Sequence, residues 1–342
     1  MSAHKPRSGS LAYYPKVRAK SQTAKYAVFK SEEAKEAKSA SFYGYKAGMA
    51  HVFGRNAHDK STSFGQEVMI PATVIECPPA KVIGVRLYKQ THYGLKALAE
   101  TSIDRPGKHL RERIKAFKHI GKKKSKAKEE AKYSAFEDLE KLKEKTATVT
   151  LIVEVQPSLT GIGKKAADIA ELGIAGSVEQ QLLFAKGKLG KELRISEVFS
   201  QNQLLDVKAV DKGKGFVGVV KRAGVKVHRP KAKKHRYVGS IGPWHPATVM
   251  WTVARPGQLG YQTRTEYNKR VLAIGSNPAT INPKGGFHNY GMVKGDYVLL
   301  TGSVPGPAKR IVALRGAVRV HDENMAKYTD VKMPNPEAAV KA

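Results

Sequence analysis

Residues 42–53 read FYGYKAGMAHVF, residues 68–79 read VMIPATVIECPP and residues 80–90 read AKVIGVRLYKQ. Short apolar-rich runs of this kind, bounded by Gly, Pro or Asn, are typical of antiparallel strands. Strands and helices do not alternate regularly, so the pattern favours a mainly β protein with α insertions, built on an antiparallel barrel, over a doubly wound sheet. The same texture returns in ATVTLIVEV (147–155), LLDVKAV (204–210), YVLLTG (297–302) and KRIVALRGAV (309–318).

Two helical segments interrupt this pattern. Residues 107–146 are rich in Lys and Glu, which predicts a solvated helical insertion that restarts at a capping box from Ser134 to Glu137. The stretch KKAADIAELG at 164–173 predicts a second helix, ended by its terminal glycine.

The overall charge limits the class of partner. The 342 residues include 61 Lys and Arg against 29 Asp and Glu, a formal charge of +32. A positive charge of this size indicates that the binding partner is a polyanion. No apolar run approaches the about 18 residues of a membrane span, so nucleic acid is favoured over a membrane. A single cysteine, Cys77, excludes an internal disulfide framework. It indicates a reducing compartment, and the N-terminus lacks the apolar segment of a secretory signal.

The cations are distributed unevenly. Between Asp211 and Glu266 there is no acidic residue, and residues 1–30 also lack acids. A solvated charge run normally mixes signs, as residues 124–145 do. Repulsion among unpaired cations predicts an N-terminal arm and a finger, residues 212–268, that stay loosely held until phosphates neutralise them. A merely solvated, flexible run is the alternative.

The finger also carries aromatic side chains. Trp244 and His245 lie among glycines and prolines, at a predicted sharp bend. A Trp in that position suits stacking on an unpaired base, worth about 1–3 kcal/mol per base. Packing of Trp244 into the core is the alternative, whereas Trp251, in the apolar TVMWTV, is predicted to be a core residue. The predicted RNA-binding residues are Lys5, Arg7, Lys16, Arg18, Lys212, Lys214, Lys221, Arg222, Lys226, His228, Arg229, Lys231, Lys233, Lys234, His235, Arg236, Trp244, His245, Arg255, Arg264, Lys269 and Arg270.

Motifs for catalysis, cofactors and metals are weak. The glycine run 213–218 lacks the order of a nucleotide-triphosphate loop, so we expect it to bring backbone close to RNA, with a plain β-turn as the alternative. Gly161 and Gly163 match a dinucleotide fingerprint loosely, but residues 156–160 separate them from the preceding strand. Histidine and cysteine spacings fit no zinc site. We therefore predict no catalytic, cofactor-binding or metal-binding residue, and no enzyme.

Five stretches together are similar to one known family, the universal large-subunit ribosomal protein L-three, in its archaeal type. The resemblance covers nearly the whole chain, and Asp211 is a departure because the family usually has Ser or Thr there, which weakens the case for a phosphate contact at that position. The stretches are SFYGYKAGMAHVF (41–53), VFSQNQLLDVKAVDKGKGFVGVVKR (198–222), GSIGPWHPATVMWTVARPGQLGYQTRTEYNKRV (239–271), NPKGGFHNYG (282–291) and GSVPGPAKRIVALR (302–315).

The resemblance implies a six-stranded, translation-protein type antiparallel β-barrel with a long basic RNA-penetrating loop and an N-terminal arm. It implies a cytoplasmic, structural constituent of the large (50S) subunit that binds near the 3′ end of the 23S rRNA and nucleates assembly. The finger then extends toward the peptidyl-transferase centre, with Trp244 and His245 near its tip. Ribosomal proteins L-fourteen and L-twenty-four-e are the implied neighbours, and neither a membrane nor a homo-oligomer is expected.

Two other classes stay open on the residues alone. A non-ribosomal basic nucleic-acid-packaging protein would share the charge, and a dehydrogenase-like enzyme would use Gly161 and Gly163. The expected division of the chain is arm 1–40, first barrel part 41–106, helical insertion 107–146, strand-helix segment and barrel return 147–211, finger 212–268, final barrel strands 269–330 and flexible tail 331–342.

Overall fold

A computed structural model describes residues 10–26, 37–103, 107–114, 136–320 and 326–332 of the chain. Strands predominate over helices within these ranges, which confirms the mainly β class. The helices are α1 (Lys108–Arg113), α2 (Phe136–Glu140), α3 (Val178–Lys188) and α4 (Val219–Ala223). The strands are β1 (Ser41–Asn56), β2 (Glu67–Glu76), β3 (Ala80–Thr91), β4 (Gly94–Ser102), β5 (Thr148–Val155), β6 (Asp168–Gly173), β7 (Glu192–Leu193), β8 (Leu204–Val210), β9 (Phe216–Val217), β10 (Gly257–Gln258), β11 (Thr263–Gly275), β12 (Tyr297–Thr301), β13 (Ile311–Gly316) and β14 (Tyr328–Lys332).

The chain divides into two compact units. Met1–Gln22 and Val210–Arg264 form one, which we call the basic unit. Thr23–Ala209 and Thr265–Ala342 form the other, which we call the sheet unit. The seven-segment division expected from composition stays a prediction.

The main sheet of the sheet unit follows the order β13-β8-β11-β12-β2-β1-β14, and β13 also pairs with β1. Six strands therefore each have two hydrogen-bonded neighbours, with β14 added at the side of β1. β1 is antiparallel to both β2 and β13, with Tyr45 opposite Glu76 and Phe42 opposite Leu314. The apolar runs that predicted β1, β2, β8, β12 and β13 supply much of one buried core. Burial of these runs is the main stabilising contribution to the unit.

A second sheet follows the order β4-β3-β5-β6, with the short β7 also paired to β3. Helix α3 begins at a capping box in which Ser177 and Gln180 each accept a hydrogen bond from the other's backbone N–H. The helix buries Leu182 and Ala185. Gln181 accepts from the Val149 N–H at 2.9 Å, which attaches the helix to β5.

The predicted helix at 164–173 is wrong, because residues 168–173 form strand β6. Ala170 and Leu172 alternate into the core, and β6 pairs antiparallel with β5. Asp168 is also buried, and its carboxylate accepts from the Tyr45 hydroxyl at 2.8 Å. Pairing across the sheet outweighs the helix propensity of Ala, Glu and Leu here.

The predicted insertion at 107–146 is described only at its two ends. Ser134 of the proposed capping box lies outside the described residues. Leu139 of α2 is fully buried, so this end of the segment packs into the core and is not simply solvated. The helix that the strand-helix segment does contain is α3, downstream of the position predicted.

A buried carboxylate in β5 should make the stability of the sheet unit depend on pH. Glu154 lies opposite Lys81 of β3 and is fully buried. Burial raises the pKa of the Glu154 carboxyl, and the nearby charges of Lys81 and His109 oppose that rise only in part. The folded state therefore holds the proton more tightly than the unfolded state does.

We expect Glu154→Gln to stabilise the protein near neutral pH and to lose that advantage in acid. A raised folded-state pKa means that the cost of ionising Glu154 is absent below the unfolded pKa and complete above the folded one. Urea unfolding at a series of pH values measures the difference. Glu192→Gln is the matched control, because Glu192 is an exposed cross-strand neighbour of the same Lys81. A Glu154→Gln protein with unchanged stability at every pH would contradict the assignment.

Candidate nucleic-acid interface

The basic unit concentrates positive charge. Its two segments contain seventeen Lys and Arg and one carboxylate residue, Asp211, so their formal charge of +16 is half of the +32 of the whole chain. These segments comprise 77 of the 342 residues, so the charge density is far above that of the sheet unit. Such a surface attracts a polyanion over a distance of about one Debye length, 8 Å at physiological salt.

The lone carboxylate of this unit is engaged within the protein. Asp211 accepts from the Gln262 N–H at 2.8 Å and lies 3.6 Å from the Arg264 guanidinium. Arg264 in turn lies over the ring of Tyr13, with 5.0 Å between guanidinium carbon and ring centroid. The one acid therefore links the start of the finger to its end.

The glycine run at the start of the finger forms a ladder with its end. The Lys214 N–H donates to the Leu259 carbonyl at 3.0 Å, and the Leu259 N–H donates to the Gly215 carbonyl at 2.9 Å. Gly260 has a φ of +74°, and a Cβ there would lie 2.1 Å from the Lys212 carbonyl oxygen. Only glycine permits this close approach. The run is thus paired along its length instead of forming a turn between adjacent strands.

Arg222, at the end of α4, connects two parts of the finger by hydrogen bonds. Its guanidinium donates to the carbonyls of Gln258 and Arg255, both at 2.9 Å. The Lys16 ammonium of the arm donates to the Arg222 carbonyl at 2.9 Å, and the Ala19 N–H donates to the Tyr261 carbonyl at 2.7 Å. Residues 10–22 of the arm therefore lie along the finger, within the basic unit.

Residues 228–237 form a closed basic loop. The His228 N–H donates to the His235 carbonyl at 2.9 Å, and the His228 ring stacks on Tyr237 with 4.8 Å between centroids. Closure turns the intervening side chains outward into solvent. Five exposed cations result, at Arg229, Lys231, Lys233, Lys234 and Arg236.

The two tryptophans of the finger are both exposed. Trp244 is 88% exposed, so the alternative of a core position does not hold for it. The neighbouring His245 is exposed as well. The prediction that Trp251 is a core residue is wrong, because this side chain is 66% exposed. Its apolar neighbours form part of a surface cavity instead of a core.

The predicted RNA-binding residues do not all reach the surface. The prediction that Arg270 binds RNA is wrong. Its side chain is 3% exposed and donates to the Asn202 carbonyl at 2.6 Å, so it cannot contact a bulky polyanion. Lys269 is partly buried and pairs with Glu266 at 2.8 Å. Lys5 and Arg7 lie outside the described residues. The exposed members are Arg18, Lys212, Lys214, Lys221, Lys226, His228, Arg229, Lys231, Lys233, Lys234, Arg236, Trp244, His245 and Arg255, and the partly exposed ones are Lys16, Arg222, His235, Arg264 and Lys269.

Aromatic residues of the arm were missed in the sequence. Tyr13 meets Arg264, and Tyr14 meets Trp251 with 6.1 Å between ring centroids. The signal available was the aromatic pair in LAYYP, within a segment that has no acids. Side chains of this kind beside cations are common in surfaces that bind single-stranded nucleic acid.

Other kinds of site find little support. In the described ranges, no group of three or more His, Cys, Asp or Glu side chains is placed to hold a metal ion. Among the same residues no helix is both long and apolar enough to cross a membrane. The dinucleotide reading of Gly161 and Gly163 fails, because the segment after them is strand β6, antiparallel to β5, where the fingerprint requires a helix.

Fold and surface together define a class of protein: a mainly β protein with a separate basic unit whose surface complements a polyanion. The family model for Ribosomal protein L3 matches residues 1–335. The chain therefore belongs to the ribosomal protein L3 family.

Curated relatives agree with this assignment. Large ribosomal subunit protein uL3 of Archaeoglobus fulgidus is 44% identical over 327 residues, which cover 93% of this chain and 93% of the relative. The protein of that name from Methanococcus maripaludis is 45% identical over 327 residues, or 94% of each chain. That of Methanocaldococcus jannaschii is 44% identical over 324 residues, or 93% of each. The archaeal resemblance predicted from the motifs is confirmed.

Proposed function

We propose that this protein is a structural constituent of the large ribosomal subunit, located in the cytoplasm, and that its basic unit binds the 23S rRNA. One observation carries the proposal: seventeen cations share the unit with a single carboxylate, which is paired internally. An acid facing a phosphate backbone would be repelled, whereas an acid paired inside the unit is tolerated. The role is one of binding and organising RNA, with no catalytic step.

Phosphate neutralisation would supply most of the affinity. With about ten phosphate contacts, the logarithm of the binding constant falls with the logarithm of salt concentration at a slope of about −7 to −9. Most of these ten contacts come from the exposed cations of the loop 228–237 and from Lys212 and Lys214 at the start of the finger. Arm and finger then order fully as they bind, which fixes neighbouring RNA helices in one arrangement.

The family resemblance supports the finer parts of the proposal. The protein binds near the 3′ end of the 23S rRNA, nucleates assembly and extends the finger 212–268 toward the peptidyl-transferase centre. The exposed indole of Trp244 would stack on an unpaired base there. We further infer that the six cyclically paired strands close into a barrel of the translation-protein type; the β13–β1 pairing supports this.

A face of the sheet unit is suited to a neighbouring protein. On β1, Met49, His51 and Phe53 point to one side of the strand, and Phe53 lies opposite Met69 of β2. The two methionines are exposed by 51% and 57%. Exposed, adaptable apolar side chains of this kind favour protein contacts. We propose this face for the contacts with ribosomal proteins L-fourteen and L-twenty-four-e.

Sucrose-gradient sedimentation of the tagged protein tests the function. We expect co-sedimentation with large subunits at moderate salt, and Trp244→Ala should co-sediment equally while altering aminoacyl-tRNA binding by the purified ribosomes. Phe64→Ala removes another exposed aromatic ring, one in the sheet unit, and should change neither property. Protein found only in free fractions, with equal affinity for duplex DNA, would favour a nucleic-acid-packaging protein. If ribosomes with Trp244→Ala bind aminoacyl-tRNA unchanged, the finger has no role at the catalytic centre.

A further inference from the structure

A surface cavity of about 340 Å³ lies between arm and finger, within the basic unit. Residues 14–17 form one wall, and residues 249–251 with Arg222 and Arg255 form the other. A volume of this size is at the low end of the roughly 300–1,000 Å³ typical of small-molecule pockets. It suits a single ring system with one substituent better than a peptide helix or a duplex.

The apolar surface of the cavity is aromatic and open. Trp251 meets Tyr14 edge to face, with an angle of 63° between the ring planes. The indole is 66% exposed, and the adjacent Met250 is 52% exposed. An edge-to-face contact uses the edge of one ring and leaves indole surface available for a third planar group. Stacking on a base is the usual use of such a surface in proteins that bind single-stranded nucleic acid.

The polar surface of the cavity is cationic. Lys16, Arg222 and Arg255 line it, and none of the other described residues in its lining is a carboxylate. The hydrogen bonds of Arg222 to two backbone carbonyls fix its guanidinium, and Lys16 lies 5.0 Å from the centroid of the Tyr14 ring. Arg255 is exposed at the rim. Three cations and an open indole in one cavity match the two parts of a nucleotide, an anionic phosphate and a planar base.

We infer that this cavity takes one unstacked nucleotide of the RNA, with its base against Trp251 and its phosphate toward Lys16 and Arg255. The inference rests on the proposed RNA-binding function and goes beyond phosphate neutralisation, because it requires a base. The bound nucleotide contacts arm and finger together, so it would hold the arm in place. An acidic aromatic peptide is the competing occupant. It fits less well, because the cavity has room for one ring and not for the peptide's flexible backbone as well.

Fluorescence of a single-tryptophan protein tests the inference. The chain has two tryptophans, so Trp244→Phe leaves Trp251 as the only reporter. We expect adenosine 5′-monophosphate to quench Trp251 saturably in the full-length protein. Ribose 5-phosphate, which lacks the base, should bind about 5- to 150-fold more weakly at matched ionic strength, as base stacking predicts. Arg255→Gln should weaken nucleotide binding, whereas Arg194→Gln, which removes an equal charge from the exposed surface of the sheet unit, should not.

Three outcomes would overturn the inference. Equal affinity for adenosine 5′-monophosphate and ribose 5-phosphate would show that the cavity binds only the phosphate. Quenching that rises linearly without saturation would show that the nucleotide only collides with Trp251 and does not bind. Tighter binding of the peptide Glu-Phe-Glu than of the nucleotide would assign the cavity to a protein partner. Because none of these measurements uses rRNA, they can fail while co-sedimentation with large subunits succeeds, and the failure of the proposed function is seen separately.

Discussion

Replacing Arg229, Lys231, Lys233, Lys234 and Arg236 with glutamine should lower the affinity for 23S rRNA by about 1,000-fold or more at moderate salt. All five side chains are exposed, on a loop that hydrogen bonds close at His228. Every cation that no longer neutralises a phosphate reduces the number of counterions released on binding by nearly one. The slope of log affinity against log salt should therefore become shallower by about 3.5 to 4.5. Filter binding between about 50 and 200 mM salt measures both quantities.

A matched variant separates local contact from overall charge. Lys60, Lys96, Lys145, Lys191 and Arg194 are five exposed cations of the sheet unit, and their replacement lowers the net charge by the same amount. If RNA contacts only the basic unit, this control should lose far less affinity and keep its salt slope. Equal losses in the two variants would mean that the total charge of the protein attracts RNA and that the loop has no special part.

Several strands of the sheet unit were predictable because their signal is local. β1, β2, β3 and β5 are apolar runs bounded by turn residues, and burial on both sides of such a run leaves few other structures available. β6 was not predicted, since its residues also suit a helix and only the neighbouring β5 decides between them. Helix α3 did carry a local signal, the Ser177–Gln180 capping box.

The candidate site shows a different balance. The absence of carboxylates located the concentrated positive charge, because charge is a property of composition. The buried position of Arg270 and the exposed position of Trp251 depend on tertiary neighbours, which an apolar or basic stretch does not reveal. The idea that the finger lacks a fixed shape without RNA concerns the free protein and stays a prediction.

The finger leaves the sheet unit beside a buried ion pair. Asp206 of β8 is fully buried, lies opposite Arg315 of β13 and accepts from its guanidinium at 2.9 Å. The other carboxylate oxygen accepts from the Asn268 N–H at 3.3 Å. The Asp206 carbonyl accepts from the Tyr26 hydroxyl at 2.7 Å, and the Arg315 guanidinium lies 4.3 Å from the centroid of that ring. Asp206 thus joins Tyr26 of the arm, through its carbonyl, to Asn268 at the end of the finger, through its carboxylate.

Asp206→Ala should destabilise the protein by about 3–5 kcal/mol, because it leaves the charge of Arg315 buried without its carboxylate. Glu140→Ala, which breaks an ion pair with Lys186 whose side chains are 46% and 57% exposed, should cost less than about 1 kcal/mol. Asp206→Ala combined with Arg315→Met should recover at least part of the loss, since the double variant buries no lone charge. Urea unfolding of the three variants gives these differences. A loss for Asp206→Ala no larger than that for Glu140→Ala would show that this buried ion pair does not stabilise the sheet unit.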